Sequence, residues 1–283
     1  MKRAAIINDL SGIGRCSLNV AIAILSVLEV QACPLPTAVL SNQTGFKEFS
    51  FLDFTPHMQA YYTHWKKLNR EFDAIYSGFL GSTEQVEIII GFVERFKKEN
   101  TLVLIDPVMG DNGVLYPIYE TTYPEDMKRL VALADVVTPN ITELKLLLGI
   151  PLEEKMTREE LRLYQTDYDK HESLKALGPK KIIVTGLIEE DQMYSVGIDL
   201  EKDEWYEVKT SYNHKSYSGT GDIFASILCG ALTRGAQLKD SIELATHFIG
   251  KAIEYTEKVP NWDTRDGIMF EKFLKELSIN ETS

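Results

Sequence analysis

The stretch SYSGTGDIFAS, Ser216 to Ser226, sets two glycines, a threonine and an aspartate at the head of an apolar helical run. A helix start gathers backbone N–H groups that have no intrahelical partner, and its dipole favours negative charge. Asp222 is therefore open to two readings. It is either a first-turn acid that steadies its own helix, or a carboxylate facing the group that attacks an anion cradled by Gly219, Thr220 and Gly221.

Other residues bear on the choice. DPVMGDNG places Asp106 and Asp111 on either side of a proline-bearing turn after the apolar run TLVLI. Turn capping accounts for such acids, but oxygen donors at a strand end also suit Mg²⁺, which keeps part of its water shell when it binds a nucleotide's phosphates. TPNITE adds Asn140 and Glu143 at capping-box spacing, and a cap is compatible with a metal shell. NQTGF reads as a turn around Gly45, with Thr44 either solvated or offering its hydroxyl to a ligand. SGIGRCS resembles a dinucleotide fingerprint only in part. Its third glycine is missing and no acid ends a convincing second strand, so a tight turn that brings backbone and Asp9 to a small ligand fits better than a dehydrogenase. The five histidines show no zinc spacing.

Acids at two strand ends, a strand ending VTG and a carboxylate at a glycine-rich helix start together describe phosphoryl transfer from a nucleotide. That reaction needs N–H donors for the transferring group, a divalent ion for the polyphosphate and a carboxylate for the attacking hydroxyl's proton. Neither a P-loop nor a protein-kinase HRD set is present.

The elements that must position these groups alternate along the chain. RAAIIN, AIYSGFL, TLVLID, DVVTP and KIIVTG read as strands, and amphipathic helical segments lie between them. This pattern predicts an α/β fold, a Rossmann-like three-layer sandwich on a mainly parallel central sheet. QACPLPTAVLSNQTGFKEFSFLDFT carries Pro34 and Pro36, which assigns it to an edge or a small edge flap able to cover a site. QMYSVGIDLEKDEWYEVKT reads as an antiparallel hairpin, and the charged stretch 153–178 as a solvated outer face. With 283 residues, no repeat and no linker, residues 1–283 are expected to form a single domain.

The net charge of −12 argues against nucleic acid or an anionic membrane as the main partner, and requires cationic help near any anionic substrate. Cys16, Cys33 and Cys229 are too few and too scattered for a disulfide framework, and they read as reduced, buried thiols. The apolar run in MKRAAIINDL is too short for a signal peptide, so a cytoplasmic protein is expected.

The ordered set IND, SNQTGF, YSGFLGS, DPVMGD, TPNITE and GTGD resembles the vitamin-kinase branch of the ribokinase-like superfamily, the pyridoxal/pyridoxamine kinases in particular, over nearly the whole chain. The resemblance implies a homodimer that phosphorylates the 5′-hydroxymethyl group of a B6 vitamer with ATP and Mg²⁺, often with a monovalent cation, K⁺ or Na⁺. It makes Asp222 the base and the N–H groups of Gly219 to Gly221 the anion hole. Asp9 and Thr44 would touch the pyridine ring's polar groups, and Thr185 and Gly186 the nucleotide's phosphates. Asp106 and Thr138 fall where the family holds a cation, Asp111 and Glu143 where it organises magnesium. Several relatives carry serine in place of Asp9, so an acid there implies an altered vitamer preference with pyridoxamine as the candidate, the alternative being that Asp9 only caps the turn DLSG. Hydroxymethylpyrimidine kinase is the nearest competing activity, and a non-catalytic vitamin- or nucleotide-binding protein is the competitor from another class. Glu143→Gln is expected to keep the cap and lose the charge.

Overall fold

Each apolar run named above becomes a strand in the computed structural model, which describes residues 1–278. The first half contains β1 (Lys2–Ile13), α1 (Ser17–Val27), β2 (Val30–Asn42), β3 (Phe51–Asp53), α2 (Thr55–Lys67), β4 (Ala74–Ser77), α3 (Thr83–Phe96), β5 (Leu102–Ile105), β6 (Gly110–Asp111), β7 (Val114–Leu115), α4 (Tyr123–Val131) and β8 (Val136–Val137). After it come α5 (Ile141–Leu148), α6 (Arg158–Thr166), α7 (Tyr168–Lys175), β9 (Lys181–Glu189), β10 (Gln192–Asp199), β11 (Glu204–Ser211), α8 (Thr220–Thr233) and α9 (Leu238–Thr256).

Nine strands form one sheet in the order β11-β10-β9-β8-β5-β4-β1-β2-β3. Pairing is parallel from β9 through to β2 and antiparallel at both margins. The strands are apolar on both faces because helices cover both. Ala5, Ile7, Ile75, Val103 and Val137 pack under α2 to α7, whereas Ala4, Ile6, Tyr76, Leu104 and Val136 pack under α1, α8 and α9. The result is the three-layer sandwich expected from the alternation.

Two expectations are refined. β2 is a full strand paired with β1 from Val30 to Asn42, but β3 covers only Ala38 to Leu40, so Pro34 and Pro36 face an open margin where no N–H donor is needed. The stretch 153–178 is not wholly solvated, since Leu161, Tyr164 and Leu174 of α6 and α7 reach the core. The hairpin forms as β10 and β11. Cys16 and Cys229 are buried, Cys33 is half-buried, and all three thiols are free. Among the described residues no helix is long and apolar enough to cross a membrane.

The order of strands fixes where a ligand belongs. From β1 the chain moves to β2 on one side, then returns to β4 on the other side and continues outward. Between the carboxyl ends of β1 and β4 the direction of winding reverses, and the crevice left there is the usual ligand position in an open α/β sheet.

Candidate active site

Asn8, at the end of β1, bridges this crevice. Its buried amide oxygen accepts the backbone N–H of Phe79, just beyond β4, at 3.0 Å, and that of Asp9 at 3.0 Å. Its Nδ2 donates to Asp222 Oδ1 at 3.0 Å. Asp222 also accepts the backbone N–H of Ser17, a residue held at φ 54° where α1 begins. The carboxylate is thus fixed from two sides by donors on β1 and α1.

Burial pushes the Asp222 carboxyl up to about 6, with a smaller push from Asp9; the bonds from Ser17 and Asn8 act the other way. The helix field expected from the sequence to keep it ionised is outweighed by this desolvation. At neutral pH the group is still mainly a carboxylate, now with the basicity of a useful proton acceptor.

Gly219 is the N-cap of α8, in the left-handed region at φ 78°, and no side chain caps this helix. The first N–H groups of α8 are consequently left for a ligand. A Cβ on Gly219 would collide with the carbonyl of Arg15. Gly219→Ala should therefore cost at least about 1–2 kcal/mol for the left-handed backbone alone, and more for the collision. We expect a melting point lower by several degrees with loss of turnover, read by thermal melting and ADP release.

Asp9 is nearly buried, and both its oxygens already accept hydroxyls, from Ser17 at 2.6 Å and Ser11 at 2.8 Å. Desolvation raises its pKa against those bonds. Its carboxylate is thus already engaged by the protein itself. Thr44 is exposed in the turn after β2, on the flap side. Gly12 belongs to β1 rather than to a phosphate turn: a Cβ there would sit 2.7 Å from the Ser41 carbonyl on β2, so this glycine serves close strand packing.

The acids lie along the neighbouring strand ends. Asp106 is buried and accepts the Thr138 hydroxyl at 3.1 Å, and burial together with the charge of Asp222 pushes it up to about 8. Glu143 forms the capping box with Asn140, its Oε2 accepting the Asn140 N–H at 2.9 Å. Its Oε1 accepts the Met109 N–H at 3.1 Å, tying the DPVMGD loop to α5, while burial and then Asp106 raise its pKa. Asp111 accepts the N–H and side-chain amide of Asn112 at the tip of the β6–β7 hairpin. Thr185 sits beside this group, donating its N–H to the Pro139 carbonyl at 3.0 Å and bridging Asn140, with Gly186 next to it on β9.

Sequence reasoning missed Tyr116. Its hydroxyl is raised by partial burial and then by the charges of Glu143, Asp111, Asp106 and Asp222, although part of the side chain stays exposed. None of these four, nor Asp9, has an ion-pair partner among the described residues. A group of acids without basic partners favours a cation. Among the described residues no three His, Cys, Asp or Glu converge tightly enough to hold one unaided. Mg²⁺ carried on one or two carboxylates, with water and phosphate oxygens completing its shell, needs no such cluster. Beside the glycine turn lies a cavity of about 310 Å³ lined by Lys215, Tyr217, Glu257, Val259, Trp262 and Thr264.

Comparison with known proteins identifies the family and the fold. The phosphomethylpyrimidine kinase family matches residues 22–264. A Bacteroides thetaiotaomicron structure in a form with pyridoxal, provisionally named a phosphomethylpyrimidine kinase, is 40% identical with a TM-score of 0.91, covering 98% of this chain and 96% of that one. Pyridoxal kinase PdxY of Pasteurella multocida is 29% identical across 68% of this chain and 66% of its own length. Pyridoxine kinase of Bacillus subtilis is 30% identical across 64% of each. The alignments to these curated relatives thus span slightly less than two thirds of their lengths. The chain belongs to the phosphomethylpyrimidine kinase family and has the ribokinase-like fold of the pyridoxal kinases it resembles.

Proposed function

We propose that the protein transfers the γ-phosphoryl group of ATP to the 5′-hydroxymethyl group of pyridoxal, pyridoxine or pyridoxamine. The observation that carries the reading is Asp222, held by Asn8 and the Ser17 N–H beside an uncapped helix start at the sheet's winding reversal. The 40% identical structure in a form with pyridoxal supports the choice of acceptor.

In this reading Asp222 takes the proton of the acceptor hydroxyl as oxygen attacks phosphorus in line. The N–H groups at Gly219, Thr220 and Gly221 stabilise the charge on the transferring group. The cavity beside Tyr217 and Thr264 suits a nucleoside, with Thr185 and Gly186 toward its phosphates. Asp106, Asp111, Thr138 and Glu143 are the residues that would hold the metals, Asp106 with Thr138 for a monovalent K⁺ or Na⁺. Bound Mg²⁺ would neutralise charge on the polyphosphate. Asp9 and Thr44 would orient the ring, with pyridoxamine favoured by the Asp9 charge. We extend the reading to a single-domain, cytoplasmic homodimer.

The test is a coupled ADP-release assay with each vitamer and with hydroxymethylpyrimidine, with Mg²⁺ and with or without K⁺. Turnover of hydroxymethylpyrimidine alone would select the second reading, which the matched family's name favours. Ligand binding without any turnover would leave a binding protein.

Glu143→Gln separates cap from charge less cleanly than the sequence suggests. Both carboxylate oxygens accept backbone N–H groups, and glutamine has only one acceptor oxygen. One buried N–H would face an amide NH₂, at a cost of about 1–3 kcal/mol. We expect a lower melting point together with a raised Mg²⁺ requirement. Loss of stability with unchanged Mg²⁺ and ATP kinetics would make Glu143 a structural cap alone.

A further inference from the structure

Gln43 joins the two sides of the proposed site. It is 9% exposed, and its Nε2 donates to the Arg265 carbonyl at 3.0 Å while its Oε1 accepts the Gly45 N–H at 2.6 Å. Its own N–H donates to the Ile13 carbonyl at 3.0 Å, and nearby the Arg265 guanidinium lies 5.0 Å from the Phe46 ring centroid. The turn that carries Thr44 is therefore fastened to the segment around Arg265.

That same segment backs the anion hole. The Ser218 N–H donates to the Thr264 carbonyl at 3.1 Å. Arg15, whose carbonyl abuts Gly219, donates to the Asp266 carbonyl at 3.1 Å and pairs with Glu271 at 2.6 Å. Movement of the Thr44 turn and of the glycine turn is thus linked through one buried amide.

We propose that Gln43 is a positioning residue that keeps the Thr44 turn closed over the acceptor, so that the phosphoryl group goes to the vitamer rather than to water. The proposal rests on the phosphotransferase reading above. With the turn released, water takes the acceptor's place. Asp222 receives a proton from water, the water oxygen bonds to the γ-phosphorus, and the bond from that phosphorus to the β–γ bridging oxygen breaks, giving ADP and phosphate.

The test uses Gln43→Glu, which keeps an acceptor for Gly45 but loses the donor to Arg265, and Gln43→Met, which loses both. Vitamer phosphate and ADP are measured together, and ADP release also without vitamer. Gln43→Glu should raise the vitamer KM about 3- to 10-fold, the worth of one hydrogen bond, and Gln43→Met by at least as much, with the ATP KM within about twofold of wild type in both. Vitamer-independent ADP release should rise several-fold, with the acid limb of the pH profile unmoved. Wild-type coupling in folded Gln43→Glu, or an equal rise in both KM values, would overturn the proposal. Hydrogen exchange at residues 43–46 without substrate supplies an independent arm. Faster exchange in Gln43→Glu is expected, and unchanged exchange overturns the bracket. A wild-type protein that phosphorylates no vitamer would instead remove the functional reading, leaving the bracket to the exchange result.

Discussion

Asp222→Asn is expected to lower kcat by about 10² to 10⁴, the range for removing a general base, while ATP affinity changes little. An amide cannot accept the acceptor's proton, yet it fills the same volume at the head of α8. Geometry supplies the control the experiment needs. Asp222 accepts from Asn8 and from the Ser17 N–H, and the single amide oxygen of asparagine serves one of these well. Some stability should be lost with activity, so the comparison is made well below the variant's melting point, with nucleotide binding followed by calorimetry. Intact nucleotide binding with near-normal turnover would remove Asp222 from the chemistry. Intact binding with turnover lost leaves the base as the missing part.

Which parts of this site the sequence displays follows from how local each is. The glycine turn, the capping box at Asn140 and Glu143 and the strand ends carrying Asp106 and Asp111 are written in adjacent residues, so composition and spacing suffice. Asn8 is different. Its role depends on β1 and β4 being neighbours and on α8 returning 214 residues later, and neither fact is encoded near IND. Tyr116 and Gln43 were hidden for the same reason, since each acts across segments that only the folded sheet brings together. Asp9 was visible as an acid, but the two hydroxyls that occupy its oxygens were not. The raised basicity of Asp222 was not legible, because a helix end shows in sequence and burial depth does not.

In the proposed reading, the acids let a strongly negative chain meet a polyphosphate through bound cations. The ion pairs lie at or near the surface, whereas Asp106, Asp111, Glu143 and Asp222 have no basic partner among the described residues. Burial raises the proton affinity of Asp106, Glu143 and Asp222, and either protons or metal ions relieve the repulsion among them. A site of this kind gains affinity for cations as pH rises and protons leave. Tyr116, which feels the charge of all four acids, is held in its neutral form.

Asn8→Asp should move the chemistry along the pH axis. In the wild type, Asp222 is raised to about 6, and a base acts only when unprotonated, so kcat/KM should fall as pH drops through about 6. The substitution keeps an acceptor for the Phe79 and Asp9 N–H groups but replaces the donor 3.0 Å from Asp222 with a second carboxylate oxygen. Two carboxylates that close share one proton, and the pair titrates with apparent values pushed apart. The acid limb should move up by about 1–3 units, with activity at pH 7 lower by about 2- to 10²-fold and partial recovery toward pH 9. Asn8→Ala provides the comparison. It removes the bond that lowers the Asp222 pKa without adding charge, so its acid limb should move in the same direction by less. Simple loss of structure would depress both variants at every pH and leave the limb in place. Profiles of kcat/KM from pH 5 to about 9.5 on folded variants decide between these outcomes, and an acid limb coincident with wild type in Asn8→Asp would show that Asn8 does not set the basicity of Asp222.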